Sequence, residues 1–350
     1  YMFEKCTGLK KVILKNGILS VGEYVFKGCS SLESVIFENV ALKKISVDMF
    51  SGCSALSSIA LPDSVTEIEK YAFFETGLRN IQLPEKLTLI GAYAFCNCKN
   101  LKQVQLPSQL KELGDGAFSG CENLAQIQLP SQLNKLGGDA FRDCTSLDKI
   151  DIPAGLKQIE SGTFCNTGLT SVTLHEGLTK IEDWAFHDCL KLKKIRIPKS
   201  VTNIGGLALG IRYNRENGAE EVIPGGFTVE GYTGSAAERY VKRMHQSENL
   251  YHVFFTDVKF VSIGGQTTAV TNISKTKISA LKTRAFTGKP LTQAITITYG
   301  GKKLVNGRDY TLTWKNNTNI GTASVTIKGK GKLGYLDRVK KKPKKNKKAM

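Results

Sequence analysis

The chain has 350 residues, with 49 Lys and Arg against 31 Asp and Glu, a formal charge of +18. A composition of 41% hydrophobic and 23% charged residues is that of a folded chain and excludes a wholly disordered one. No apolar run reaches the roughly 18 residues that a membrane-spanning helix needs, which excludes a helical span.

Phenylalanine returns every 22 to 24 residues through the first part of the chain, at Phe3, Phe26, Phe50, Phe73, Phe95, Phe118, Phe141, Phe164 and Phe186. Leu209 stands where a tenth would fall. So short and faithful a period specifies a solenoid, in which each coil buries its apolar side against its neighbours. One unit reads Leu124-Ala125-Gln126-Ile127-Gln128-Leu129-Pro130, then Leu133, Leu136 and Ala140-Phe141. The alternation in Ile127-Gln128-Leu129 predicts a strand buried on one side, and Pro130 stops it because it has no N–H for the ladder. The aliphatics three apart predict turns or 3₁₀ segments on the other face. Ten coils at about 4.8 Å per strand make a parallel sheet on the order of 45 Å long, with the Phe rings stacked inside the opposite wall.

The pattern L-x-x-I-x-L-P followed by A-F-x-x-C, seen again in Leu78-Arg79-Asn80-Ile81-Gln82-Leu83-Pro84 with Ile90 to Phe95 and in Leu192 to Pro198, resembles the BspA-type leucine-rich repeat. The resemblance covers residues 1 to about 209. It implies a gently curved leucine-rich repeat solenoid of secreted and surface proteins, often adhesins.

Seven of the nine Cys stand three residues after the repeat Phe: Cys6, Cys29, Cys53, Cys98, Cys121, Cys144 and Cys189. Thr76 and Thr167 take that place in two shortened repeats. The exchange predicts a small buried group bonded to a turn carbonyl. A disulfide framework is the rival in an exported protein, but the odd count and one site per coil favour packing. Cys96 and Cys165 follow their Phe directly and break the register. Cys96 and Cys98 have no second pair at zinc spacing, so no metal is expected.

The chain opens at Tyr1-Met2-Phe3, inside a repeat and without a start Met or signal peptide. This predicts a fragment whose leader was removed. After Leu209 the pattern fails. Arg212 to Glu221 reads as an inserted loop, Phe227 to Tyr232 as a short strand, and Ser235 to Met244 as a helix in which Ser235 and Glu238 fit a capping box. Ala237, Tyr240, Val241 and Met244 make its apolar face, and Val253-Phe254-Phe255 is a closing strand. Such a cap covers the open last coil. Alternating segments at Ala294 to Tyr299, Tyr310 to Trp314 and Ala323 to Ile327, with turns at Gly300-Gly301, Asn306-Gly307 and Asn316-Asn317, predict a small all-β domain. The runs Ala285-Phe286-Thr287-Gly288-Lys289-Pro290, Tyr299 to Leu304 and Asp309-Tyr310-Thr311 resemble small Ig-like modules of bacterial surface proteins, which act as spacers. The expected organisation is a solenoid over 1–212, a cap over 213–256, a linker over 257–275, an Ig-like β domain over 276–337 and a basic disordered tail over 338–350.

That tail holds eight Lys and Arg and no acid, leaving +10 elsewhere. It suits an anionic cell-wall polymer. It lacks an aromatic residue for base stacking, which argues against nucleic acid. Gly329 to Gly334 has the letters of a dinucleotide loop, but no helix follows to receive a pyrophosphate.

The solvent face of the sheet takes the residues two and four after the first Leu of each unit. Its candidate ligand residues are Asn80, Gln82, Gln103, Gln105, Gln126, Gln128, Lys149, Asp151, Ser171, Thr173, Lys194 and Arg196. The amides either satisfy one another as ladders or dock an extended ligand. No catalytic motif appears. The four His are scattered, His175 and His187 reading as turn residues, and Asp148 with Asp151 is a weak acid pair. The sequence therefore reads as a non-catalytic, extracellular or surface-attached binding module, without cofactor or metal, for a host protein or polysaccharide. The alternatives are a purely structural stalk or the targeting portion of a larger exported enzyme.

Overall fold

A computed structural model describes residues 2–246, 255–263, 277–278, 296–299, 302–303, 310–315, 322–329 and 338–343. They belong to two compact units, Tyr1–Gly264 and Gly265–Met350.

The first unit is a parallel β-solenoid. Strands such as Asn80–Gln82, Gln103–Gln105 and Lys149–Asp151 alternate exposed, buried, exposed, so each turns one aliphatic inward and two polar side chains out. Coils pair in parallel one repeat apart: Asn80 opposes Gln103, Gln103 opposes Gln126, and Lys149 opposes Ser171.

On the second wall the expected turns occur, as where the Leu133 N–H donates to the Pro130 carbonyl at 3.0 Å, but short strands stand where 3₁₀ segments were the alternative. Lys44–Ile45, Glu67–Ile68, Leu89–Ile90, Glu112–Leu113 and Lys135–Leu136 form a five-stranded parallel sheet of two-residue strands. Gln158–Ile159, Lys180–Ile181 and Asn203–Ile204 form another. No 3₁₀ helix occurs among the described residues. The preceding coil offers a carbonyl at the right height, as where the Thr88 N–H donates to the Thr66 carbonyl at 2.9 Å. These ladder bonds follow the local turn and extend it into a two-residue strand.

The third wall carries the aromatics. Each Phe N–H donates to the residue just before the next Phe: Phe73 to Ala94 at 2.8 Å, Phe95 to Ala117 at 2.8 Å, Phe164 to Ala185 at 2.9 Å. Residues two before the Phe (Tyr71, Tyr93, Trp184) and two after it (Asn97, Asp143, Asp188) have positive φ, which turns the chain sharply on both sides. The rings form one column from Phe3 to Phe186, with centroids 5.2 to 5.7 Å apart and planes within 14°. Phe26 to Phe186 are buried, while Phe3 is 39% exposed. Each stacked pair adds about 0.5–1.5 kcal/mol beyond its area burial.

The cysteines follow the expected ladder. All nine are free. Sγ of Cys53, Cys98, Cys121, Cys144 and Cys189 donates to a Phe carbonyl of the preceding coil at 3.1 to 3.2 Å. Thr76 and Thr167, with shorter side chains, bond the Phe carbonyl of their own coil at 3.0 and 2.9 Å.

The end of the solenoid is covered. Phe227–Gly231 pairs in parallel with Lys194–Arg196 and with Val258–Ser262. The closing strand is thus Val258–Ser262, inside the expected linker; Phe255 is buried ahead of it, and 253–254 lie outside the described residues. The helix Ala236–Met244 buries Ala236, Ala237, Tyr240, Val241 and Met244. Its expected capping box is corrected. The Ser235 N–H already donates to the Tyr232 carbonyl at 3.0 Å, so Glu238 accepts from Gly234 N–H instead. The Ser235 hydroxyl makes no cap bond.

In the second unit, Lys277–Ile278, Ile297–Tyr299 and Lys302–Lys303 form one antiparallel sheet, and Tyr310–Lys315, Thr322–Gly329 and Arg338–Pro343 another. Most of the Ig-like expectation lies outside the described residues. Arg338–Pro343, expected in the disordered tail, is instead a strand with Ile327 opposite Arg338 and Val325 opposite Lys340. A run of Arg and Lys does not forbid a strand, because the ladder uses only backbone groups.

Candidate binding face

The register of the first sheet column brings side chains of equal rank from successive coils into rows. All twelve candidate residues are exposed. Ten of them, from Asn80 to Thr173 over five coils, line one groove of 740 Å³. Lys194 and Arg196 lie outside it and face Glu230, at 3.9 and 3.4 Å.

The groove is amide-rich at Asn80, Gln82, Gln103, Gln105, Gln126 and Gln128, and charged at Asp148, Lys149 and Asp151. Asp148 and Asp151 share it but have separate partners. Asp148 Oδ1 accepts from Thr170 Oγ1 at 2.6 Å, and Asp151 Oδ1 meets His175 Nε2 at 2.7 Å. Both acids are exposed, and each is held by a side chain of the next coil.

A second cluster was not legible from local spacing. Cys165, His187 and Asp188 place one ligand-type atom each within 4.8 Å of one another. His187, expected as a turn residue, is buried. Its Nδ1 lies 3.2 Å from Asp188 Oδ2 and its Nε2 lies 2.7 Å from Glu220 Oε2. Burial opposes a charge on the ring, but hydrogen bonds to Asp188, Cys165 and Glu220 outweigh it and raise its pKa to about 10. Burial likewise works against the Asp188 carboxylate, yet the bonded, charged His187 and the Tyr213 N–H hold it below the usual range. Glu220 and Tyr213 come from the hairpin Ile211–Asn214 with Ala219–Val222, the segment expected as an inserted loop. The signal that finds this cluster is positional: Cys165 and His187 both directly follow a repeat Phe, so successive coils place them side by side.

Residues 1–102 and 88–210 match the family described as BspA type leucine rich repeat region, in six copies. The chain belongs to this family. Among solved structures, this BspA-type chain is similar to a leucine-rich repeat protein from Bacteroides ovatus, at 27% identity and a TM-score of 0.57, covering 75% of this chain and 65% of that one. It therefore spans just under two thirds of that relative's length. It is also similar to a leucine rich cell surface protein from Faecalibacterium prausnitzii (23% identity, 57% of this chain and 77% of that one, TM-score 0.36). A third is the leucine-rich repeat protein of T. pallidum (28% identity, 53% and 78%, TM-score 0.39). No match is found among curated proteins. No helix among the described residues is long and apolar enough to cross a membrane.

Proposed function

We propose that this chain is a non-catalytic recognition module of a secreted or cell-surface protein, and that its sheet face docks an extended host protein segment or polysaccharide. One observation carries this: ten exposed side chains from five consecutive coils line a single groove. Five coils span about 20 Å at the strand spacing, room for an extended chain several residues or sugars long. Amides supply donors and acceptors together, which suits hydroxyl-rich or backbone-rich ligands. Family membership supports the surface setting, the second unit serves as spacer, and its basic end suits an anionic wall polymer. Glycan and host-matrix arrays probed with the full chain test the reading. Saturable binding supports it; silence across broad panels supports a structural stalk with self-satisfied amide ladders.

A further inference from the structure

The cysteine ladder explains seven thiols and leaves Cys96 and Cys165 outside it. Cys165 is buried at the position directly after Phe164, and the same position one coil later holds His187. The neighbouring Asp188 has φ of 57°, a left-handed turn that brings its carboxylate back beside the ring. The gap of 3.2 Å between His187 Nδ1 and Asp188 Oδ2 is close to a ligand-to-ligand edge. Tetrahedral ligands at zinc bond lengths of about 2.0–2.3 Å stand roughly 3.5 Å apart.

The surrounding bonds orient these groups. Glu220 Oε2 sits 2.7 Å from His187 Nε2, the carboxylate–histidine arrangement that fixes a metal-binding imidazole by its far nitrogen. Tyr213 N–H donates to Asp188 Oδ1 at 2.9 Å, which leaves Oδ2 toward the ring. Both supports come from one hairpin, Ile211–Asn214 with Ala219–Val222.

We propose that Cys165, His187 and Asp188 form a site for a zinc-class divalent metal ion, with Nδ1 of His187 as ligand, Glu220 as its orienting partner and a water in the fourth position. Thiolate, imidazole and carboxylate together suit Zn²⁺ or Co²⁺ over the hard cations Mg²⁺ and Ca²⁺. Binding sends the protons of the Cys165 thiol and of His187 Nδ1 to solvent, so the site exchanges an ion pair for a metal.

The test uses the full untagged chain, kept reduced by a phosphine, titrated with Co²⁺ and Zn²⁺. The expected result is one equivalent of metal with a thiolate-to-cobalt absorption band. Cys165→Ser removes the band and weakens Zn²⁺ binding at least tenfold, while Cys96→Ser leaves both intact. Glu220→Gln, which keeps every ligand, weakens binding about 10–100-fold with the band retained. Far-UV circular dichroism establishes that each variant is folded. No band at stoichiometric Co²⁺, a band that survives Cys165→Ser, or a Glu220→Gln affinity equal to wild type would each overturn the site.

Discussion

The Tyr240 hydroxyl accepts from the Leu209 N–H and donates to the Leu209 carbonyl, both at 2.9 Å. Leu209 occupies the tenth place of the Phe column, where no further coil supplies ladder partners. One fully buried phenol therefore completes the backbone of the last turn, and burial raises its pKa. Tyr240→Phe keeps the ring but orphans both backbone groups. A loss of about 1–3 kcal/mol is expected, read as a lower urea midpoint with unchanged slope.

The shortened repeats depend on glycine. A Cβ on Gly77 would lie 2.1 Å from the Ser54 carbonyl oxygen, because Thr76-Gly77-Leu78 is pulled against the preceding coil. Gly77→Ala should destabilise by about 1–3 kcal/mol. At Gly8 a Cβ meets nothing within 4 Å, so Gly8→Ala should be neutral. Equal midpoints for the two variants would contradict this packing.

The thiols predict their own reactivity. Eight cysteines are buried and Cys6 is exposed. Burial raises Cys53, Cys98 and Cys189 to about 12, and Cys96 to about 11, so they stay protonated and slow. A disulfide-exchange reagent at neutral pH should label Cys6 rapidly in the folded chain. All nine should react after unfolding. Two or more thiols missing from the unfolded count would restore the disulfide framework.

Much of this was legible in the sequence because a repeat states its rule many times. The Phe column, the Cys–Thr exchange and the exposed rows at Gln103 and Gln126 all follow from periodicity. The second strand wall was not legible. Lys44–Ile45 and Glu67–Ile68 are too short to alternate and become strands only through a neighbouring coil. The His187 cluster was hidden for a related reason: motif spacings are local, whereas Cys165 and His187 meet across a whole repeat. The capping box failed because Tyr232 had already taken the Ser235 N–H, a contact that no sequence pattern records. The candidate face was legible as exposed rows, but not the extent of the groove, which leaves out Lys194 and Arg196. Glu230, which pairs with Lys194 and Arg196, belongs to the cap.

One carboxylate gives the fold a pH dependence of known sign. Glu176 accepts from the backbone N–H groups of Lys199 and Ser200, each at 3.0 Å. The Lys199 N–H leads in lowering its pKa below the ordinary 4.5. A lowered folded-state pKa stabilises above the unfolded value, and that stability is lost as pH falls through the folded value. Unfolding free energies taken from pH 7 down to 3 should therefore fall more steeply for wild type than for Glu176→Gln. Parallel curves would remove the linkage.

The sheet face itself is tested most directly by moving charge into the groove and then away from it. Gln103→Glu with Gln126→Glu places two carboxylates in one row of the face. Gln132→Glu with Asn134→Asp makes the same charge change at exposed positions that do not line the groove. With a ligand taken from the arrays, the first pair should weaken binding at least tenfold and the second should leave it within twofold. Equal affinity for the two double variants would contradict recognition by this face.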